Sequence, residues 1–351
     1  MNRSELLSES LPESGNEPVP EPVPAFAPEP VPAFVAEVSS NHHRDLPRCL
    51  QFVDMAAHVG CNAVKFQLFK IEELFAPEIL KRSPQHRARK LWEIPLSFIS
   101  EIKLRCRERG IQFSCTPFYL KAVEQLFPYV DFYKIASYEL LWNDLLIACA
   151  CTKKPVVLST GMATADEVRQ AVTVLRQAGC LDLTILHCVS GYPAPVSECN
   201  LAAIETLRTI AGCGVKDKDS AKPSGAARKS SHLHTLNTPP ESMKIRVGWS
   251  DHSVRPAVLY RAIHRWKVDM VEFHLDIDGE GEEFSFGHCW LPEQIKTVID
   301  LVKDGFQADG TGLKEPVPTE LPDRQWRRDP CDGLRPLKDV RQEWVRSRDI
   351  G

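Results

Sequence analysis

The feature that most restricts the fold is a rhythm. Eight short apolar runs recur along the chain, at 34–38, 63–67, 112–115, 132–135, 156–159, 183–187, 245–248 and 270–274. Each has strand length, and most are rich in β-branched or aromatic side chains. Helical patterns lie between them, for example at 50–59, 98–109, 163–178 and 201–210, and Gly60, Gly110 and Gly179 follow three of these as stop signals. Thr164, with Glu167 three residues on, has the form of a capping box. A strand–helix–strand unit makes its two strands parallel. Eight such units in 351 residues predict an α/β fold, the (β/α)8 or TIM barrel. A doubly wound open sheet is the alternative, but no Gly-rich fingerprint follows the first strand.

The rhythm breaks in three places. Residues 1–32 repeat Glu-Pro-Val-Pro, a pattern that favours polyproline II and cannot build a core, so a disordered tail is expected. Residues 215–242 are rich in Lys, Ser, Pro and Asn without apolar periodicity, and read as a loop insertion in a barrel spanning 33–310. A lid or partner-binding loop is the functional alternative for that insertion. Residues 311–351 form a C-terminal extension.

Composition excludes more than it identifies. A net charge of −4 indicates neither a nucleic-acid nor a membrane surface, and no apolar run approaches the roughly 18–20 residues of a spanning helix. The N-terminus carries Glu5 early and has no apolar core, so it is not a secretory signal. The 12 cysteines are scattered, many of them inside apolar runs, without zinc-ligand spacing. Reduced, structural thiols in a cytoplasmic protein are expected.

Barrel strands should be apolar, because both faces are covered. Here they end in groups that a core would not tolerate unpaired: Glu37, Lys65 and Gln67, Thr116, Lys134, Ser137 and Glu139, Ser159 and Thr160, His187, Ser190 and Tyr192, Ser250 and His252, and Glu272 and His274. That end of this fold carries the active site. Two readings of the lysines are open. They form internal ion pairs, Lys65 with Glu37 and Lys134 with Glu139, or they bind a phosphate and a carboxylate together with the neighbouring hydroxyls. His252 and His274 end two consecutive strands, so both imidazoles reach the same rim and can grip a divalent metal with positions left open to substrate. His264, His288 and His187 are read as structural.

These residues, in this order, resemble the sialic acid synthase family. The matching stretches are Ala36-Glu37-Val38-Ser39-Ser40-Asn41-His42, Lys65-Phe66-Gln67, Cys115-Thr116-Pro117-Phe118, Lys134-Ile135-Ala136-Ser137-Tyr138-Glu139, Ser159-Thr160-Gly161, His187-Cys188-Val189-Ser190-Gly191-Tyr192-Pro193, Ser250-Asp251-His252 and Glu272-Phe273-His274. The family condenses phosphoenolpyruvate with N-acetylmannosamine or a related aldose. The resemblance implies a TIM barrel holding manganese, or another divalent ion such as magnesium or cobalt, on His252 and His274. It implies phosphoenolpyruvate on Lys65, Lys134, Thr116, Ser137, Ser159, Ser190 and Ser250, with Glu37, Gln67, Phe118, Glu139 and Tyr192 shaping the sugar side and the proton-transfer region. A cytoplasmic transferase of sialic acid biosynthesis, with neither nucleic acid nor membrane as partner, is the expectation.

Three departures fall on the sugar side. Asn41-His42 is followed by His43-Arg44 rather than by the family's glycine pattern, and Ser285, with Glu282 and Glu283 nearby, stands where the family has a sugar-binding acid. With Gly351 as its last residue, the chain is expected to lack the family's antifreeze-like domain, which weakens the inference of the homodimer that the resemblance implies. Two alternatives follow: a phosphoenolpyruvate-binding barrel impaired in catalysis, or another metal-dependent barrel aldolase or hydrolase.

Overall fold

A computed structural model describes residues 31–212 and 243–348; residues 1–30 of the Pro-rich tail and the whole 215–242 insertion lie outside the described residues. Eight strands form in the expected places: β1 (Ala33–Glu37), β2 (Ala63–Leu68), β3 (Gln112–Pro117), β4 (Phe132–Ile135), β5 (Val156–Ser159), β6 (Asp182–Cys188), β7 (Lys244–Asp251) and β8 (Met270–Leu275). Each pairs in parallel with its successor, and β8 pairs back onto β1, with Glu37 opposite His274. The sheet is therefore a closed barrel, the TIM architecture predicted from the rhythm of the runs. A two-residue strand, β9 (Cys289–Trp290), adds to β8 with Cys289 opposite His274.

The barrel interior is built from the two-residue period of its strands. Val35, Ala63, Phe132, Val157 and Leu186 form a separate buried cluster with Met270 against it. Side chains two apart share a face of a strand. The next inward positions are thus Glu37, Lys65, Lys134, Ser159, Cys188 and Glu272. One apolar layer is the floor, and the polar layer directly above it is the candidate site. Gly248 on β7 occupies the floor level without a side chain, because a Cβ there would lie 2.6 Å from the backbone oxygen of Met270 and would collide with Leu186.

The opposite faces of the strands pack against the helices in one large core that includes Phe52, Phe66, Phe113, Tyr133, Trp249 and Phe273. Helix ends follow local chemistry. Asp45 caps the helix Leu46–His58, accepting from the Arg48 amide at 3.1 Å, and a proline lies in its first turn. This helix starts four residues before the apolar pattern does, because the cap and the proline set its origin. Thr164 and Glu167 form the expected capping box, and Gly110 closes Ile99–Arg109 in the left-handed conformation. The β7–β8 connection begins as an α-helix, Pro256–Tyr260, and continues as a π-helical turn, Arg261–Arg265.

The barrel belongs to a compact unit spanning Pro30–Ala308. Beyond it, the C-terminal stretch carries two helices, Leu321–Arg324 and Lys338–Arg348, with the Trp326 and Trp344 rings edge-on at 5.6 Å. Among the described residues all 11 cysteines are free thiols, and no helix is long and apolar enough to cross a membrane.

Replacing Gly248 by alanine forces a methyl group against the Met270 carbonyl, which cannot rotate away. The variant is expected to lose about 1–3 kcal/mol or more of stability by overpacking. Denaturant unfolding checks this, and a midpoint equal to wild type would show that the floor has slack there.

Candidate active site

The polar layer lines a cavity of about 430 Å³, counted out to its open mouth, at the C-terminal end of the barrel. Of the residues expected at the site, Glu37, Lys65, Gln67, Thr116, Lys134, Ser137, Ser159, Tyr192, Ser250, His252 and His274 line it together, and Glu272 joins them. Phe118, Glu139 and Ser190 do not. Phe118 packs edge-on against Phe69, with ring centroids 6.1 Å apart. Ser190 stands behind Gly161: a Cβ on that glycine would collide with the Ser190 hydroxyl and crowd Cys188 Sγ and Ser137 Oγ at 3.0 and 3.1 Å. The missing side chain lets these groups converge, and Ser137 Oγ accepts from the Gly161 amide at 3.0 Å.

Four buried charges make up the centre of the cavity: Glu37, Lys65, Lys134 and Glu272. Lys65 Nζ contacts the Glu37 carboxylate, approaches Glu272 Oε2 at 3.9 Å and donates to Thr116 Oγ1 at 3.5 Å. Lys134 Nζ lies 3.4 Å from Glu272 Oε1, to which Ser250 Oγ also donates at 3.0 Å. The expected pair of Lys65 with Glu37 forms, whereas the partner of Lys134 is Glu272 and not Glu139. Register explains the substitution: Glu272 is an inward residue of β8 in the polar layer, while Glu139 sits in the turn beyond β4.

Protonation states follow from burial set against pairing. Burial pulls the Lys65 ammonium down to about 7, with Glu272 opposing and Lys134 pushing the same way. Burial alone would raise Glu272, but Lys134 and Lys65, then His274 and Ser250, hold it at about 2. Burial raises Glu139 to about 7 against the pull of Lys134, and its Oε2 has no hydrogen-bond partner.

Beside this quartet stand His252 and His274, with ring centroids 5.3 Å apart. His252 Nδ1 lies 2.6 Å from the carbonyl of Val189, and His274 Nδ1 lies 3.1 Å from Glu283 Oε2. Each ring thus has Nδ1 engaged with an acceptor, which leaves Nε2 as the free ligand nitrogen. Burial lowers His252 to about 3, helped by the charge of His274, and lowers His274 despite Glu283. Both are neutral at physiological pH, the form that binds a metal. The pair suits a divalent ion, with ring spacing compatible with metal–nitrogen bonds of about 2.0–2.1 Å.

His288, for which a structural role is expected, stands beside the candidate metal pair. Its ring lies 4.7 Å from His274 and 4.9 Å from Tyr192, and its Nε2 is 3.3 Å from Glu283 Oε2. Together His274, Glu283, His288 and Cys289 form a group able to hold a metal. Glu283 was legible only as an acid near the departed sugar position, and His288 followed no strand run long enough to signal a rim. His187 stays structural, bonded to the Cys199 carbonyl at 3.0 Å and packed on Trp249.

The sequence profile of the NeuB family matches residues 52–215. An uncharacterized protein of Methanocaldococcus jannaschii is 32% identical over 82% of this chain and 74% of its own length. The chain belongs to the NeuB family. N,N'-diacetyllegionaminic acid synthase of Campylobacter jejuni is 28% identical, over 82% of this NeuB-family chain and 80% of the relative. Among solved structures, N-acetylneuraminic acid synthetase of Leptospira borgpetersenii superposes with a TM-score of 0.64 at 26% identity, covering 83% of this chain and 90% of that one. The spore coat polysaccharide protein SpsE of Bacillus subtilis shares the fold, with a TM-score of 0.63 at 23% identity, over 92% and 80% of the two chains.

Two outcomes test the charge quartet. Glu272→Gln leaves two buried ammonium groups short of a counter-charge and is expected to cost about 3–5 kcal/mol, read by denaturant unfolding. Sulfate, which does not titrate near neutrality, should bind best below about pH 7, where Lys65 keeps its proton, and more weakly as pH rises through that value. Calorimetry from pH 6 to 9 measures this. Lys65→Met should flatten the profile, and a slope that survives would assign it to Glu139.

Proposed function

We propose that this chain condenses phosphoenolpyruvate with an N-acetylated aldose of the N-acetylmannosamine type, giving a sialic-acid-like 2-keto sugar acid and phosphate. The observation that carries this reading is one cavity holding two buried lysines, a set of hydroxyls and two neutral imidazoles side by side. The lysines and hydroxyls match a small substrate with two anionic groups, and the imidazoles match a divalent metal, manganese or an ion such as magnesium or cobalt. The names of two NeuB-family relatives, N,N'-diacetyllegionaminic acid synthase and pseudaminic acid synthase, support the same chemistry.

Lys65 and Lys134, with Thr116, Ser137, Ser159 and Ser250, would bind the phosphate and carboxylate of phosphoenolpyruvate. Ser190 would contribute from behind Gly161. The new anion joins a quartet whose carboxylates already keep the lysines paired, so arriving substrate meets a preorganised site. The ion on His252 and His274, when bound, would supply Lewis-acid polarisation of the acceptor aldehyde. Carbon 3 of phosphoenolpyruvate forms the new bond to that aldehyde carbon, water adds at carbon 2, and phosphate leaves with cleavage of its C–O bond. Glu37 is suited to move the proton of that water. One of its oxygens contacts Lys65, and the other accepts from Gln67 Nε2 at 2.8 Å and from the Ser39 amide at 3.0 Å. Tyr192, whose ring is tilted against His252 at a centroid distance of 4.3 Å, would border the sugar with Gln67 and Tyr138; Phe118 and Glu139 would act from behind the cavity wall.

The test is incubation with manganese, phosphoenolpyruvate and a panel of N-acetylated hexoses, reading released phosphate and the 2-keto acid. Product with one of them is expected. Phosphoenolpyruvate binding without product from any sugar would replace this reading with that of a binding barrel. His252→Ala and His274→Ala should each lower turnover by about 10²-fold or more, the loss of several kcal/mol of charge stabilisation.

A further inference from the structure

Glu283 is a half-buried carboxylate that the proposed chemistry does not use. It lies on the loop between β8 and β9, and three donors converge on it. Ser39 Oγ donates to Oε1 at 2.5 Å, while His274 Nδ1 and His288 Nε2 lie 3.1 and 3.3 Å from Oε2. Two imidazoles and a hydroxyl thus converge on a single carboxylate.

The loop that carries Glu283 is fixed from several sides. Asn41 Oδ1 accepts from the Glu283 amide at 2.8 Å, and Asn41 Nδ2 donates to the Leu275 carbonyl at 3.0 Å. Asp276 accepts from the amides of Gly279 and Gly281 at 2.8 and 3.1 Å, and Arg48 bonds both Asp276 and Asp278. Gly281 lacks a side chain where a Cβ would press against Asn41 and Asp276, at 2.5 and 2.6 Å. A loop held this closely gives Glu283 one position, and that position is behind His274.

We infer that Glu283 is a positioning residue for the metal centre: it holds His274 by Nδ1–H, so that Nε2 faces the cavity, and its negative charge strengthens that nitrogen as a ligand. His288 and Ser39 serve to hold Glu283, and His288 does not bind the ion. A carboxylate behind a metal-binding imidazole fixes the tautomer and raises basicity, and its removal typically weakens metal binding by about 10–100-fold. His252 has only a backbone carbonyl in the equivalent place, so the two ligands differ in strength and His274 is the stronger. This inference rests on the assignment of His252 and His274 as the metal ligands.

The experiment is manganese binding to the full-length protein by calorimetry, without phosphoenolpyruvate or sugar, for wild type, His252→Ala, Glu283→Gln and His288→Gln. Thermal unfolding of each metal-free form monitors folding. The expected result is measurable binding by wild type, loss of binding in His252→Ala, and a 10–100-fold weaker Kd in Glu283→Gln. His288→Gln, whose amide can still donate to Glu283, should bind within a few-fold of wild type. The visible spectrum of the cobalt form gives a second readout, and Glu283→Gln should shift its bands while keeping two imidazole ligands. Binding by Glu283→Gln equal to wild type, with His252→Ala inactive in binding, would overturn the inference and leave the metal assignment standing. Undiminished binding by His252→Ala would overturn the metal assignment itself. Loss of binding in His288→Gln as complete as in His252→Ala, with a three-imidazole cobalt spectrum, would make His288 a ligand and overturn the positioning role. If Glu283→Gln unfolds at lower temperature, Ser39→Ala removes one donor to the same carboxylate, and an unchanged Kd there would also count against it.

Discussion

The site at the mouth of this barrel depends on holding two buried lysines, Lys65 and Lys134, against two buried carboxylates. A buried ammonium is costly unless it is paired, and the pairing comes from Glu37 and Glu272 on strands β1 and β8. Closure of the barrel brings those strands together, with Glu37 opposite His274 in the β1–β8 register. Glu37 and Lys65 already face each other on neighbouring strands, whereas the contacts of Glu272 with both lysines exist only because the sheet closes on itself. An open sheet would leave β1 and β8 at opposite edges, with both lysines lacking one of their partners.

The floor beneath this layer is equally specific. Val35, Ala63, Phe132, Val157 and Leu186 fill the barrel below the charges, and Gly248 has no side chain where Leu186 and Met270 already occupy the space. A dry apolar floor lowers the local dielectric, which strengthens the ion pairs above it and keeps the imidazoles neutral. Stability and chemistry thus share one set of strands. The apolar member of each inward pair packs, and the polar member two residues on lines the cavity.

Much of this was legible in the residue order. Period-two alternation and strand-length runs located the strands, and a strand that ends in Lys, Ser or His where both faces should be apolar marks a rim. His252 and His274 could be paired on that reasoning, because each ends one of two consecutive strands. His288 and Glu283 could not. They lie on an irregular loop whose path is set by Arg48, Asn41 and Asp276, contacts that span more than 200 residues of sequence. The partner of Lys134 was missed for a related reason, since Glu139 is near in sequence while Glu272 is near across the barrel.

The sequence by itself determined the repeating unit, the parallel order of the strands and the chemical kinds of side chain at their ends, because these follow from local periodicity. Only the tertiary structure decided which charges meet and which nitrogen of each histidine is left free. It also set a carboxylate behind His274. Those outcomes depend on barrel closure and on loop contacts between distant segments, and no local pattern of residues encodes either.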